Sequence, residues 1–127
     1  MPPLRFTDWD LPASIQSAID SQGWEHPTEI QRESIPAGRS GKDIIGQART
    51  GSGKTAAFGI PIIERVEAKG APQAILLCPT RELATQVCEE IKWLQGDLGL
   101  SILPVYGGTD LEKQAAKLDN GVDIIVG

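Results

Sequence analysis

The run Ala48-Arg49-Thr50-Gly51-Ser52-Gly53-Lys54-Thr55 constrains this chain more than any other feature. It stands between a strand pattern at residues 43–47 and a helical pattern opening at Gly53, the context in which a phosphate-binding loop works. Gly51 and Gly53 permit positive φ and close approach, so successive N–H groups and a helix N-terminus converge on an anion. Lys54 then reaches terminal phosphates, and the Thr55 hydroxyl joins the shell of a magnesium ion that keeps most of its waters. The general pattern opens on glycine; here Ala48, a small residue, takes that place.

A strand that feeds a helix through such a loop belongs to an α/β architecture, and the rest of the chain repeats the alternation. Helical patterns are expected over residues 11–20, with Pro12 near the start, and from Thr28 to about Ile35, where Pro36 should end it. Another runs over residues 53–69 with Pro61 inside. A fourth follows Thr80, with Leu83, Ala84, Val87, Ile91 and Leu94 at helical spacing, and Thr109 with Glu112 opens a fifth to about Leu118. Besides residues 43–47, strand patterns occupy residues 74–78, a buried-type run, then 101–106 and 122–126. The expected fold is α/β, a mainly parallel sheet with helices on both faces.

Composition narrows the partners. The longest purely apolar run, residues 74–78, is far too short to cross a bilayer, which needs roughly 20 residues. The N-terminus lacks the apolar core of a secretory signal, so the expectation is a cytoplasmic protein. A net charge of −5 repels polyanions overall, so any nucleic-acid contact must be local and geometrically organised. Cys78 and Cys88 form no Cys-x-x-Cys pair and read as small buried apolar residues rather than zinc ligands or a disulfide. His26 reads as a surface residue.

A phosphate loop does not name the base. Gln31, in Gly23-Trp24-Glu25-His26-Pro27-Thr28-Glu29-Ile30-Gln31, carries an amide whose donor and acceptor match the acceptor and donor of adenine, while guanine presents the wrong pattern. Phe6 is an aromatic that can lie on a base face. On the residues alone, the plainer reading sets Gln31 on a solvated helix face and Phe6 in a small apolar cluster.

Taken together, these segments resemble the DEAD-box family of ATP-dependent RNA helicases. Phe6, Gly23-Trp24, Pro27-Thr28 and Ile30-Gln31 resemble its adenine-recognising Q motif. Residues 48–55 resemble its motif I, where alanine is the usual first residue, and Pro79-Thr80-Arg81-Glu82-Leu83-Ala84 resembles its motif Ia. Gly107-Gly108 resembles its glycine doublet. The resemblance implies a RecA-like domain that binds ATP and magnesium, with Lys54 and Thr55 catalytic and Thr55 beside the metal. Phe6, Trp24, Thr28, Gln31, Arg49, Thr50, Gly51, Ser52 and Gly53 are implied around the nucleotide, with Pro79, Thr80, Arg81, Gly107 and Gly108 along an RNA backbone read without sequence preference.

The same resemblance implies that the family pattern continues past Gly127 with an arginine-bearing turn, the acidic strand that orients magnesium, a serine-alanine-threonine motif and a second RecA-like domain. On that reading residues 1–36 form the Q-motif region and residues 37–127 the phosphate-loop units of an incomplete domain without useful turnover of its own. Residues 43–47 would lack a neighbouring strand, leaving an edge open to self-association. A phosphate-loop enzyme of another family and a non-enzymatic interaction module remain the alternatives.

Overall fold

The computed structural model describes residues 4–47, 53–105, 116–117 and 119–127. In chain order, a 3-10 turn at Phe6–Trp9 precedes α1 (Ala13–Ser21), α2 (Glu29–Arg39), α3 (Lys54–Arg65), β1 (Ala74–Leu76), α4 (Arg81–Leu94), β2 (Ile102–Pro104) and β3 (Ile124–Val126). The fold is α/β with a parallel sheet. β3 lies between β1 and β2 and parallel to both, with Ala74 and Ile102 opposite Ile124, and Leu76 and Pro104 opposite Val126.

This register sorts the side chains by face, because alternate residues of a strand point to opposite sides. Ile102, Ile124 and Val126 are buried, on the face against which α4 packs. α4 contributes Ala84, Val87, Cys88, Ile91 and Leu94, the periodicity read from the sequence; Leu83 is the exception and stays exposed. Ile60 and Ile63 of α3, Ile35 of α2 and Ile15 and Ile19 of α1 complete one continuous core. On the other face, in register, lie Ile75, Leu103 and Ile125. Ile75 is 65% and Leu77 86% exposed, so the run expected to be buried throughout is covered on one side only by the described residues. The helix expected from Thr109 falls largely outside the described residues, although residues 116, 117 and 119 are helical.

The three strands are shorter than expected and α1 starts at Ala13, and three larger departures from the sequence expectation each have a physical reason. α2 runs through Pro36 to Arg39 instead of stopping at Ile35. A proline inside a helix loses one hydrogen bond and clashes with the preceding turn, at a cost of about 3 kcal/mol. The last turn is held from outside: Arg39 donates from Nη1 to the Trp9 carbonyl at 2.7 Å, and its Nε lies 3.1 Å from a Glu64 carboxylate oxygen on α3. Gly38 also lets α2 lie against Pro61, since a Cβ there would come within 2.8 Å of the proline ring. Burial pushes the Glu64 carboxyl above its ordinary value, and the Arg39 guanidinium works against that shift.

α3 ends at Arg65 rather than near Lys69, with Val66 already extended. The residues beyond are drawn off the helix by Asp123, described below. Residues 43–47, expected as a strand, are described with no ladder partner; Ile45 is fully exposed. A strand exists only through its neighbours' N–H and C=O groups, and the described sheet supplies none here.

Candidate nucleotide site and strand-end rim

Two helix starts meet at one glycine. Thr28 opens α2 with a reciprocal cap: its hydroxyl accepts from the Gln31 N–H, and the Gln31 Oε1 accepts from the Thr28 N–H at 2.9 Å. The other end of the same amide leaves α2, donating from Nε2 to the Gly53 carbonyl at 3.2 Å. Gly53 is the N-cap of α3 with φ +87°. A Cβ on it would sit 2.2 Å from the Gln31 Nε2 and 3.2 Å from the Thr28 Oγ1. Conformation and space therefore both demand glycine.

The chemistry of this junction follows from what stays unpaired. Gly53 has no side chain to cap α3, and the first intrahelical bond runs from the Ala57 N–H to the Gly53 carbonyl. The N–H groups of Lys54, Thr55 and Ala56 thus have no intrahelical acceptor, and they define the positive end of the helix dipole. Lys54, exposed, and Thr55, half-buried, occupy that first turn. Gln31 is 2% exposed, so it is no solvated surface residue. Its amide has two N–H groups and two lone pairs, and each end has spent one on the protein. Among the described residues, one donor and one acceptor of this amide are left without a partner, a donor-acceptor pair of the kind that matches an adenine edge. Arg49, Thr50, Gly51 and Ser52 lie outside the described residues.

Phe6 is not an open stacking platform. It is 1% exposed, stacked on Trp24 with centroids 6.2 Å apart and edge-on to Trp9 at 5.7 Å. Trp24 in turn meets Trp93 of α4 edge-on at 5.4 Å. The four rings bind the N-terminal turn and the loop before α2 to α4, and the Phe6 N–H to the Glu25 carbonyl at 3.2 Å adds to the seam. This cluster was not visible as a periodic stripe, because its members come from separate segments.

A second concavity forms where the strands end. Cys78, Pro79, Thr80, Arg81, Val105 and Gly127 line about 480 Å³ at the C-terminal rim of the sheet. Its backbone is tied by the Cys78 N–H to Gly127 carbonyl bond at 2.6 Å and by Val105 N–H to Val126 carbonyl at 2.7 Å. The Thr80 Oγ1 accepts from the Leu83 N–H at 3.1 Å and caps α4. Gly107 and Gly108 lie outside the described residues. Burial holds the Cys78 and Cys88 thiols above their ordinary values, so both stay protonated at neutral pH. Among the described residues no group of His, Cys, Asp or Glu side chains can hold a metal, and no helix is long and apolar enough to cross a membrane.

Asp123, which the sequence reading passed over, organises the opposite end of the sheet. One carboxylate oxygen accepts from the N–H groups of Gly70 at 2.8 Å and Lys69 at 3.1 Å, the other from Ser101 at 2.9 Å. These donors, Ser101 foremost, hold its pKa below the ordinary value although burial opposes them. The available signal was an acid set inside an apolar strand pattern.

The DEAD/DEAH box helicase family model matches residues 28–127. The chain is 46% identical over 125 residues to the DEAD-box ATP-dependent RNA helicase CshA of Bacillus subtilis, covering 98% of this chain and 25% of that protein. It is 44% identical to the ATP-dependent RNA helicase CshA of Listeria monocytogenes, over 97% of this chain and 24% of that one. The chain thus spans about a quarter of the length of these curated relatives. Among solved structures, a DEAD box protein from Methanococcus jannaschii superposes with TM-score 0.91 at 44% identity, covering 97% of this chain and 34% of that one. The RNA helicase Prp28 from Chaetomium thermophilum, bound to ADP, gives 0.84 at 39%, covering 99% and 33%.

Proposed function

This chain belongs to the DEAD/DEAH box helicase family, and from that premise we propose that it is the N-terminal part of the ATP-binding domain of an ATP-dependent RNA helicase. The observation that carries the reading is the Gln31 clasp on Gly53: it sets the base-reading amide beside the first turn of α3, where Lys54 stands. In this proposal the spare donor and acceptor of Gln31 read adenine, and Thr28 holds that amide in register. Trp24, stacked on Phe6, would flank the base side in this proposal. The N–H groups in the first turn of α3 and the residues Arg49, Thr50, Gly51, Ser52 and Gly53 would hold the phosphates. Lys54 neutralises charge on the terminal phosphates, and the Thr55 hydroxyl is a ligand for a Mg2+ ion carried with them.

The strand-end concavity is proposed as the RNA surface. Pro79, Thr80 and Arg81, with Gly107 and Gly108, would meet ribose-phosphate groups, a contact without base readout. Hydrolysis and local duplex separation would belong to the whole protein, with a second RecA-like domain closing on both sites. The outer edge of β1, paired only with β3 among the described residues, is proposed to take a further strand from the parent chain or from a second copy. A cytoplasmic location is the matching proposal.

The test is a titration of the chain with fluorescent ATP and GTP analogues, alongside Lys54→Ala and Gln31→Ala. The expectation is a preference for ATP, loss of both nucleotides in Lys54→Ala, and loss of the preference in Gln31→Ala with folding retained. Equal binding of both bases by the unaltered chain, or indifference to Lys54→Ala, overturns the proposal.

A further inference from the structure

The bond from Gln31 to Gly53 pins α2 to α3 at one end, and a second clasp holds the other. Arg39, the last residue of α2, donates from Nη1 to the Trp9 carbonyl at 2.7 Å and brings Nε within 3.1 Å of the Glu64 carboxylate near the end of α3. Arg65 returns the contact, donating from Nη2 to the Arg39 carbonyl at 3.0 Å. The side chains of the ion pair are 32% and 16% exposed, so it is more than a loose surface contact. The two helices start at the same end and run side by side: Gln31 meets Gly53, Gly38 lies against Pro61, and Arg39 meets Glu64. Gln31 and Arg39 are about 12 Å apart along α2. A helix held at one point can swing, whereas one held at two such points has a single register. Arg39 also reaches the aromatic cluster, because Trp9 meets Phe6 edge-on and Phe6 stacks on Trp24.

We propose that Arg39 is a positioning residue for the nucleotide site: through Glu64 and the Trp9 carbonyl it fixes where α2 sets the Gln31 amide relative to the first turn of α3. The proposal rests on the reading of Gln31 as the base-recognising group. It also separates base from phosphate. Lys54 and the N–H groups of the first turn belong to α3 and keep their geometry when α2 shifts, whereas the amide travels with α2. Loss of Arg39 should therefore cost base discrimination and spare the binding of a phosphate chain.

Two variants test this. Arg39→Lys keeps the charge but has a single nitrogen, which cannot serve Trp9 and Glu64 together. Arg39→Met combined with Glu64→Met removes the pair without leaving a buried charge alone, a change often neutral to stability. In the nucleotide-free chain, hydrogen exchange is read at the Thr28 N–H, which donates to the Gln31 Oε1, and at the Leu83 N–H, which donates to Thr80 on α4 and serves as the internal reference. Exchange at Thr28 should be roughly threefold to tenfold faster in both variants, with Leu83 unchanged. With fluorescent ATP and GTP analogues the preference for ATP should fall by a similar factor, while competition by tripolyphosphate, which has no base, stays the same. Exchange that rises equally at both positions, or at neither, overturns the proposal, because Arg39 then serves stability alone or nothing. So does an ATP preference that both variants keep in full. Equal binding of the two nucleotides before any substitution would instead remove the base reading, and exchange at Thr28 then decides alone whether Arg39 places Gln31.

Discussion

Replacing Asp123 tests how the sheet is held at the end away from the candidate site. Its carboxylate is 2% exposed and gathers three backbone N–H donors from two segments remote in sequence, with the Gln73 Nε2 at 3.4 Å as an outer fourth. Asp123→Ala strands those donors in a buried place. Each unsatisfied group costs about 1–3 kcal/mol, and water entering the vacated space recovers part of it, so the expected loss is about 3–5 kcal/mol. Against a total of about 5–15 kcal/mol for an ordinary domain, that is a large share. Asp123→Asn keeps one acceptor oxygen for Lys69 and Gly70 but turns an NH2 group toward the Ser101 N–H. The expected loss is about 1.5–3 kcal/mol, one charge-assisted bond. The pH dependence has a definite sign. The folded pKa is lowered, so the carboxylate's contribution is complete above the unfolded value and is lost as pH falls through the folded one. The gap between the unaltered chain and Asp123→Asn should therefore close below about pH 4. Urea unfolding followed by tryptophan fluorescence at neutral and acid pH measures both. An Asn variant as stable as the unaltered chain at pH 7, or a gap that persists in acid, refutes the account.

Three further outcomes follow from the same coordinates. Gly53→Ala should lose about 2 kcal/mol or more from left-handed backbone and the clash with Gln31, and should lose less in a Gln31→Ala background; equal losses in urea unfolding would show the two do not touch. Phe6→Ala should cost about 3–5 kcal/mol and change tryptophan emission through Trp24 and Trp9, whereas a mild effect on the melting temperature would return Phe6 to a surface role. If the proposed self-association through β1 occurs, replacing Ile75 and Leu77 by lysine should reduce it in sedimentation velocity without lowering the melting temperature; unchanged association excludes the exposed face and edge of β1 as its seat.

Local patterns foretold the elements whose reasons are local. The Thr80 cap and the apolar stripe of α4 are short-range physics, and both stand where the residues put them. Thr28 did the same for α2. What could not be read was decided at a distance. Pro36 signals a stop, yet Arg39 reaches Trp9 and Glu64 and carries the helix one turn further. Residues 66–69 continue a helical pattern, yet the Asp123 carboxylate takes the N–H groups of Lys69 and Gly70. Residues 43–47 have strand composition, but a ladder needs a partner that composition cannot supply. In the candidate site the loop pattern marked Gly53, whereas residue types alone left Gln31 on a solvated helix face and only the family resemblance moved it toward a base; the direct bond between them is tertiary information.

That bond also changes what Gln31 is for. An amide devoted to base reading alone would leave the loop indifferent to which base is bound. On the proposed reading one group touches both: Nε2 holds the carbonyl at the start of α3, and the other N–H on the same nitrogen would be the donor offered to a base. In that proposal a base engaging the donor and acceptor would pull on the atoms that fix Gly53, and base identity would be linked to the geometry of the helix start. The reciprocal cap with Thr28 makes the link stiff, because Gln31 cannot turn without also releasing the Thr28 N–H and unwinding the start of α2. A guanine, offering the opposite pattern, would have to break one of these bonds to bind. Selectivity in the proposed arrangement would come from the cost of disturbing two helix starts as much as from the hydrogen bonds gained.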